Sequence, residues 1–191
     1  LTSDDSVDGG DGSDTVTATF ASGTVTPAAM TSVENFDATF SGGALNASNF
    51  GDLTTIEVAD INATAVISGI PATVTTINQL ATTATAGLNV QYASGADATV
   101  SLTNIGGAEV DIANASTTFN NVKNLTVSAT DNASATDINK DWDLGSLNGG
   151  SALTDLTLIS NLDADDDLTV GNISAVNLEN LTIQADEGFI N

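Results

Sequence analysis

Six segments of this chain share one pattern, apolar-x-x-apolar-x-apolar, whose last two apolar positions flank a single polar one. They are Val33-Glu34-Asn35-Phe36-Asp37-Ala38, Leu53-Thr54-Thr55-Ile56-Glu57-Val58, a degenerate Val74-Thr75-Thr76-Ile77-Asn78-Gln79, Val122-Lys123-Asn124-Leu125-Thr126-Val127, Leu153-Thr154-Asp155-Leu156-Thr157-Leu158 and Leu178-Glu179-Asn180-Leu181-Thr182-Ile183. Alternation with period two marks a strand with one buried face. It runs on in Leu125, Val127 and Ala129 against Thr126 and Ser128. Starts are separated by 20, 21, 48, 31 and 25 residues. The longest gap leaves room for a further copy, around Val100-Ser101-Leu102 to Val110-Asp111-Ile112.

One anchored strand every 20 to 30 residues or so describes a solenoid, in which stacked repeats share a narrow core that none can bury alone. The expected fold is all-β, a parallel β-helix or irregular β-solenoid. A leucine-rich repeat is the nearest confusable architecture, but the Asn at a fixed offset after its strand is missing. Segments between copies, such as Thr82-Thr83-Ala84-Thr85-Ala86-Gly87, are too rich in Thr to read as helices. Ala44-Leu45-Asn46-Ala47-Ser48-Asn49-Phe50 reads equally as a short helical turn or as part of two further strands per repeat.

Composition agrees and then narrows the chemistry. The 191 residues are 41% hydrophobic, 14% charged and 4% aromatic, so burial competes with chain entropy and the core is built mostly of Val, Ile, Leu and Ala. The chain holds 28 Thr and 19 Asn, a strand former and a turn former whose side chains can also form hydrogen-bonded ladders between repeats. It carries 25 acidic and two basic residues, Lys123 and Lys140, for a net charge of −23. Nucleic-acid binding through phosphate contacts is excluded. Without His or Cys there is no imidazole base, thiol nucleophile, disulfide or thiolate metal site. Oxygen ligands remain, and these suit hard cations such as Ca2+. No apolar run is long enough for a transmembrane helix, so membrane insertion is not expected.

The most specific motif lies at the N-terminus. Gly9-Gly10-Asp11-Gly12-Ser13-Asp14-Thr15-Val16-Thr17 matches the nonapeptide G-G-x-G-x-D-x-U-x at every position. Its glycines allow a sharp turn, Asp14 with Asp11 and turn carbonyls faces a cation, and Val16 points inward. A shift of nine residues aligns Asp5 with Asp14 and Val7 with Val16, so Asp5-Ser6-Val7-Asp8 reads as the tail of a preceding copy. The nonapeptide resembles the RTX family of secreted calcium-binding proteins. There the ion lies between stacked turns, so one copy supplies half a site. Residues 1–20 are expected to close an RTX-like segment, beginning with a β-roll turn, and 21–191 to form solenoid repeats. A chain beginning at Leu1 reads as a fragment of a longer one.

Together with strand heads such as Val176-Asn177-Leu178-Glu179-Asn180-Leu181-Thr182-Ile183, the nonapeptide makes the chain resemble bacterial surface-layer proteins and large adhesins exported by type I secretion. That resemblance implies an extracellular, calcium-binding structural component that assembles with copies of itself into a lattice, with a cell-surface glycan or lipopolysaccharide as a further partner. A second reading is an adhesin or stalk that displays a binding face. The third is a β-helix polysaccharide-active enzyme, since a glycosidase needs only two carboxylates. No pair is marked as catalytic, and two lysines are few for an acidic polysaccharide, so no enzyme is expected.

Two other acidic segments are candidate calcium loops. Asp137-Ile138-Asn139-Lys140-Asp141-Trp142-Asp143 places oxygen ligands at alternate positions like the first half of an EF-hand, with Asp137, Asn139, Asp141 and Asp143 as ligands. Trp142 stands where that loop needs Gly, and Asn148 where it needs Glu, so a standard EF-hand is not expected. Trp142 itself is expected to cover the solenoid surface or an interface. In Asn161-Leu162-Asp163-Ala164-Asp165-Asp166-Asp167-Leu168, four carboxylates repel one another, and Asp163, Asp165 and Asp167 share one side if the segment is extended. Each segment reads alternatively as a hydrated turn.

Overall fold

In a computed structural model, residues 1–61, 63–79, 86–95, 97–104, 112–130, 141–162, 166–186 and 189–190 are described. They are all-β, with long parallel sheets, an arrangement compatible with a β-helix. Eight strands form one parallel sheet in chain order: β2 (Thr15–Phe20), β5 (Asn35–Phe40), β7 (Thr55–Ile61), β9 (Thr76–Gln79), β11 (Ala98–Asn104), β13 (Val122–Thr130), β16 (Asp155–Asn161) and β19 (Asn180–Ala185). Alternating with them along the chain is a ten-stranded sheet. It contains β3 (Gly23–Val25), β6 (Gly43–Asn46), β8 (Ala65–Ile70), β10 (Ala86–Tyr92), β12 (Ile112–Asn120), β14 (Trp142–Asp143), β15 (Ser146–Gly150), β17 (Asp167–Thr169), β18 (Ile173–Ala175) and β20 (Phe189–Ile190). A third, short pair joins β1 (Ser6–Asp8) to β4 (Ala29–Thr31).

Every copy of the sequence pattern lies on the eight-stranded sheet, and Val100-Ser101-Leu102 of the extra turn expected in the long gap lies on β11, while Val110 and Asp111 fall outside the described residues. The first apolar residue of the early copies (Val33, Leu53, Val74) is a buried corner residue two positions before its strand. Along the sheet Val16, Phe36, Ile56, Ile77, Leu102, Val127, Leu158 and Ile183 stack in register as one column, buried from Phe36 to Leu158 and exposed at Ile183 on the last strand. Immediately before each lies an outward residue, giving the column Thr15, Asn35, Thr55, Thr76, Ser101, Thr126, Thr157 and Thr182. Partners are 20 or 21 residues apart as far as Ile77, then 25 or 31.

A single apolar cluster runs from Ala18 to Leu168. Aromatic rings fill its first part: Phe20 stacks on Phe40 and Phe36 meets Phe50 edge-on, each at 5.2 Å between centroids. Beyond them Ile, Leu and Val predominate, with Tyr92, Phe119 and Trp142 also fully buried. Residues 44–46 are strand, and Phe50 closes a single turn, its amide donating to the Ala47 carbonyl at 3.1 Å, before forming a parallel bridge to Met30. Trp142 corrects its expected place: it is fully buried, in register with Ile112 and Leu168, inside the core instead of on its surface. Its ring is the largest apolar body in the chain, and a lengthened repeat has room for it.

One corner is built differently in consecutive repeats. β12 is a single nine-residue strand with a bulge at Asn114-Ala115. In the next repeat the equivalent stretch divides into β14 and β15, separated by Leu144-Gly145. Gly145 has φ +59°, and a Cβ there would sit 2.3 Å from the Asn114 carbonyl oxygen, so only glycine lets the two corners nest.

Candidate metal-binding turns

The nonapeptide forms the corner leading into β2. Gly10 and Gly12 take φ of +84° and +129°, which glycine adopts freely. Gly9 serves close approach: a Cβ there would meet the Ser32 carbonyl oxygen at 1.9 Å and the Asp14 Cβ at 2.7 Å. The chain of the next repeat therefore crosses directly over the turn, and the Gly9 amide donates to the Thr31 carbonyl at 3.0 Å.

Asp14 stacks on Glu34, one repeat further along. The Asp14 amide donates to Glu34 Oε2 at 2.9 Å, while the Asn35 amide returns a bond to the Asp14 carbonyl at 3.0 Å. Asp14 Oδ2 is buried and has no hydrogen-bond partner. A carboxylate oxygen withdrawn from water without a donor is costly unless a cation meets it. The next repeat uses the same device, as the Ser32 amide donates to Asp52 Oδ2 at 2.9 Å. Neither Glu34 nor Asp52 was singled out by motif. Their signal was the spacing: each lies 20 residues after the residue whose amide it accepts, the repeat length of this part of the chain.

The other N-terminal candidates are placed differently. Asp5 accepts the Thr2 amide at 2.6 Å, and its carbonyl accepts from Ala28, so it closes the turn before β1. Since β1 pairs with β4 and β2 with β5, Val7 lies beside Met30 and Val16 beside Phe36. The structure stacks Asp14 on Glu34 and leaves Asp5 on another corner. Asp11 is exposed on the turn, beside Gly12.

Both downstream segments lie partly outside the described residues, which exclude Asp137, Asn139, Asp163 and Asp165. Their described ends meet. Asp141 Oδ1 accepts the Asp167 amide at 3.0 Å, as the Trp142–Leu168 register requires. Asp143 Oδ1 caps its own turn by accepting the Gly145 amide at 2.7 Å. Asp166 is buried, only 5% exposed. Two segments that look independent in sequence thus have their described ends side by side on consecutive repeats.

On the outward face of the eight-stranded sheet, Asp37 and Glu57 are in-register neighbours. Burial and the Asp37 charge push the Glu57 carboxyl above its ordinary range. Asp155 has the opposite environment: hydrogen bonds from the Thr154 hydroxyl and the Asn180 amide, with the Lys123 charge, hold it below the usual value.

The donors at the Asp14 corner fit a hard cation in kind, since they are carboxylate and carbonyl oxygens only. Among the described residues no three metal-binding side chains converge, so Asp14 and Glu34 supply two carboxylates and the backbone must add the rest.

No protein-family model, curated protein or solved structure matches this chain. The functional reading therefore rests on the turns themselves.

Proposed function

We propose that the chain is a β-solenoid structural module of an extracellular bacterial surface layer, with Ca2+ bound at the turns of its acidic corners and lateral self-assembly as its task. The observation that carries this reading is the buried, unpartnered Asp14 Oδ2 stacked on Glu34. In kind it is the oxygen a cation needs, at the corner where the calcium-type nonapeptide lies. Net charge supports the same view, because 25 acids against two bases oppose both folding and association of copies unless counter-ions are held.

Asp14 and Glu34 would hold the ion, with Gly9 and Gly12 keeping the turn tight enough for backbone oxygens to approach. Bound Ca2+ supplies positive charge between consecutive repeats. Linkage then makes folding and assembly depend on free calcium, since the unfolded chain does not hold these oxygens together. The test follows melting temperature and assembly state in excess calcium and in EDTA, using the longest natural chain that contains this segment. A large fall in both on chelation is expected. No change in either would sink the proposal.

One observation favours the adhesin reading as second choice: the unbroken outward column of Thr, Ser and Asn across all eight strands, a surface suited to display. A monomeric rod with affinity for a glycan, in place of an array, would favour it.

A further inference from the structure

The sequence pattern leaves one ambiguity that hydrophobicity cannot resolve. A slip of one residue turns every side chain to the wrong face, but a slip of two preserves both faces. At β9 and β11 both choices bury an apolar residue against Ile77: Leu102 in the observed register, Val100 in the slipped one. The repeat length also changes here, from 21 to 25 residues.

At this junction two amides occupy inward positions. Gln79 and Asn114 are 0% and 2% exposed, and they face each other across the core from β9 and β12. They exchange two hydrogen bonds, Gln79 Nε2 to Asn114 Oδ1 at 3.0 Å and Asn114 Nδ2 to Gln79 Oε1 at 3.1 Å. Asn114 Nδ2 also donates to Thr117 Oγ1 at 3.2 Å, and Thr117 donates to the Leu144 carbonyl at 2.9 Å. The network thereby ties three consecutive repeats together.

We infer that the Gln79–Asn114 pair is a register lock that selects one of two face-preserving pairings between the short and the long repeats. Slipping β11 and β12 by two residues moves Asn114 by about 7 Å and leaves both amides buried without partners. Each orphaned amide disfavours the slipped state by at least about tenfold. An all-apolar core lacks that discrimination, which is the best-attested use of a buried polar pair.

Engineered disulfides read the register directly, because the chain has no cysteine of its own. Asn78 and Thr103 are partners in the observed pairing. Neighbouring Cα atoms about 4.8 Å apart can be bridged, whereas the diagonal from Asn78 to Ser101, about 8 Å, cannot. In the native background N78C/T103C should cross-link and N78C/S101C should not. Adding Gln79→Leu with Asn114→Leu should raise the N78C/S101C cross-link at least tenfold, while the swapped pair Q79N/N114Q should restrict it again. Absence of the slipped cross-link in the Leu background overturns the inference. So does failure of that variant to fold, which would make the amides a source of stability rather than of choice.

Discussion

Asp14 allows a test in which stability changes order with calcium. In EDTA its carboxylate contributes two unfavourable terms, an unpartnered buried oxygen and proximity to the Glu34 carboxylate. The first costs roughly 1–3 kcal/mol by comparison with other orphaned groups. Repulsion between two partly solvated carboxylates adds on the order of 1 kcal/mol. Asp14→Asn removes one charge and keeps the shape, so the variant should be equal to or more stable than the parent in EDTA, by up to about 2 kcal/mol. With calcium at a hundred times its dissociation constant the parent gains about 2.7 kcal/mol, most of which the variant cannot. For a chain of this length 1 kcal/mol moves the melting temperature by about 2–4 °C. The parent should therefore melt about 5–10 °C higher with calcium than without, and the two melting curves should exchange order. Calorimetry of both proteins in EDTA and in calcium measures this. If Asp14→Asn were less stable by the same amount in both conditions, Asp14 would be a structural cap and the cation reasoning would be wrong.

Three further outcomes follow from single side chains. Ser160 Oγ is buried without a partner in a column between Ala129 and Ala185, so Ser160→Ala should stabilise by about 1 kcal/mol in urea melts; a loss of that size would mean the hydroxyl is satisfied. Asn121 turns the corner between β12 and β13 with φ +61°, and its amide donates to the Tyr92 carbonyl at 2.8 Å. Asn121→Gly keeps the backbone and loses the bond, costing about 1 kcal/mol, whereas Asn121→Ala loses both and should cost about twice that. Glu57 has a folded pKa above its unfolded value, so its ionised form weakens the fold and its contribution improves as pH falls through the folded pKa, saturating below the unfolded one. The stability gap between Glu57→Gln and the parent should then be widest near neutral pH and close on acidification; a gap independent of pH contradicts the assignment.

Much of one sheet was legible in the sequence, because its strands carry several apolar residues at period two and a corner residue before them. The ten-stranded sheet was not. Its short members, such as Gly43–Asn46 and Ser146–Gly150, have one strong apolar anchor each, Leu45 and Leu147, amid Ala, Gly, Asn and Ser. One anchor has no period. At the Asp14 corner the nonapeptide named Asp14 and its glycines, but Glu34 belongs to no motif and becomes a partner only because the chain returns after 20 residues. Trp142 misled for a related reason. Flanked by Asp141 and Asp143 it looks like a surface residue, yet in a strand those neighbours point away from the core while the Trp points in.

The sequence by itself determined an all-β chain whose repeated strands bury alternate residues, and a strongly acidic chemistry with only two lysines and no His, Arg or Cys to set against it. Tertiary structure decided how the repeats align. By pattern, Leu125 is the equivalent of Phe36, Ile56 and Ile77; in the sheet that place belongs to Val127, through Leu102. From β11 onward an added column of Val100, Leu125, Leu156 and Leu181 precedes it. The reason is that period two encodes which face is buried but is blind to a shift of two. That shift is chosen by the contacts only folding makes, among them the nested corner glycines and the buried amides at the change of repeat length.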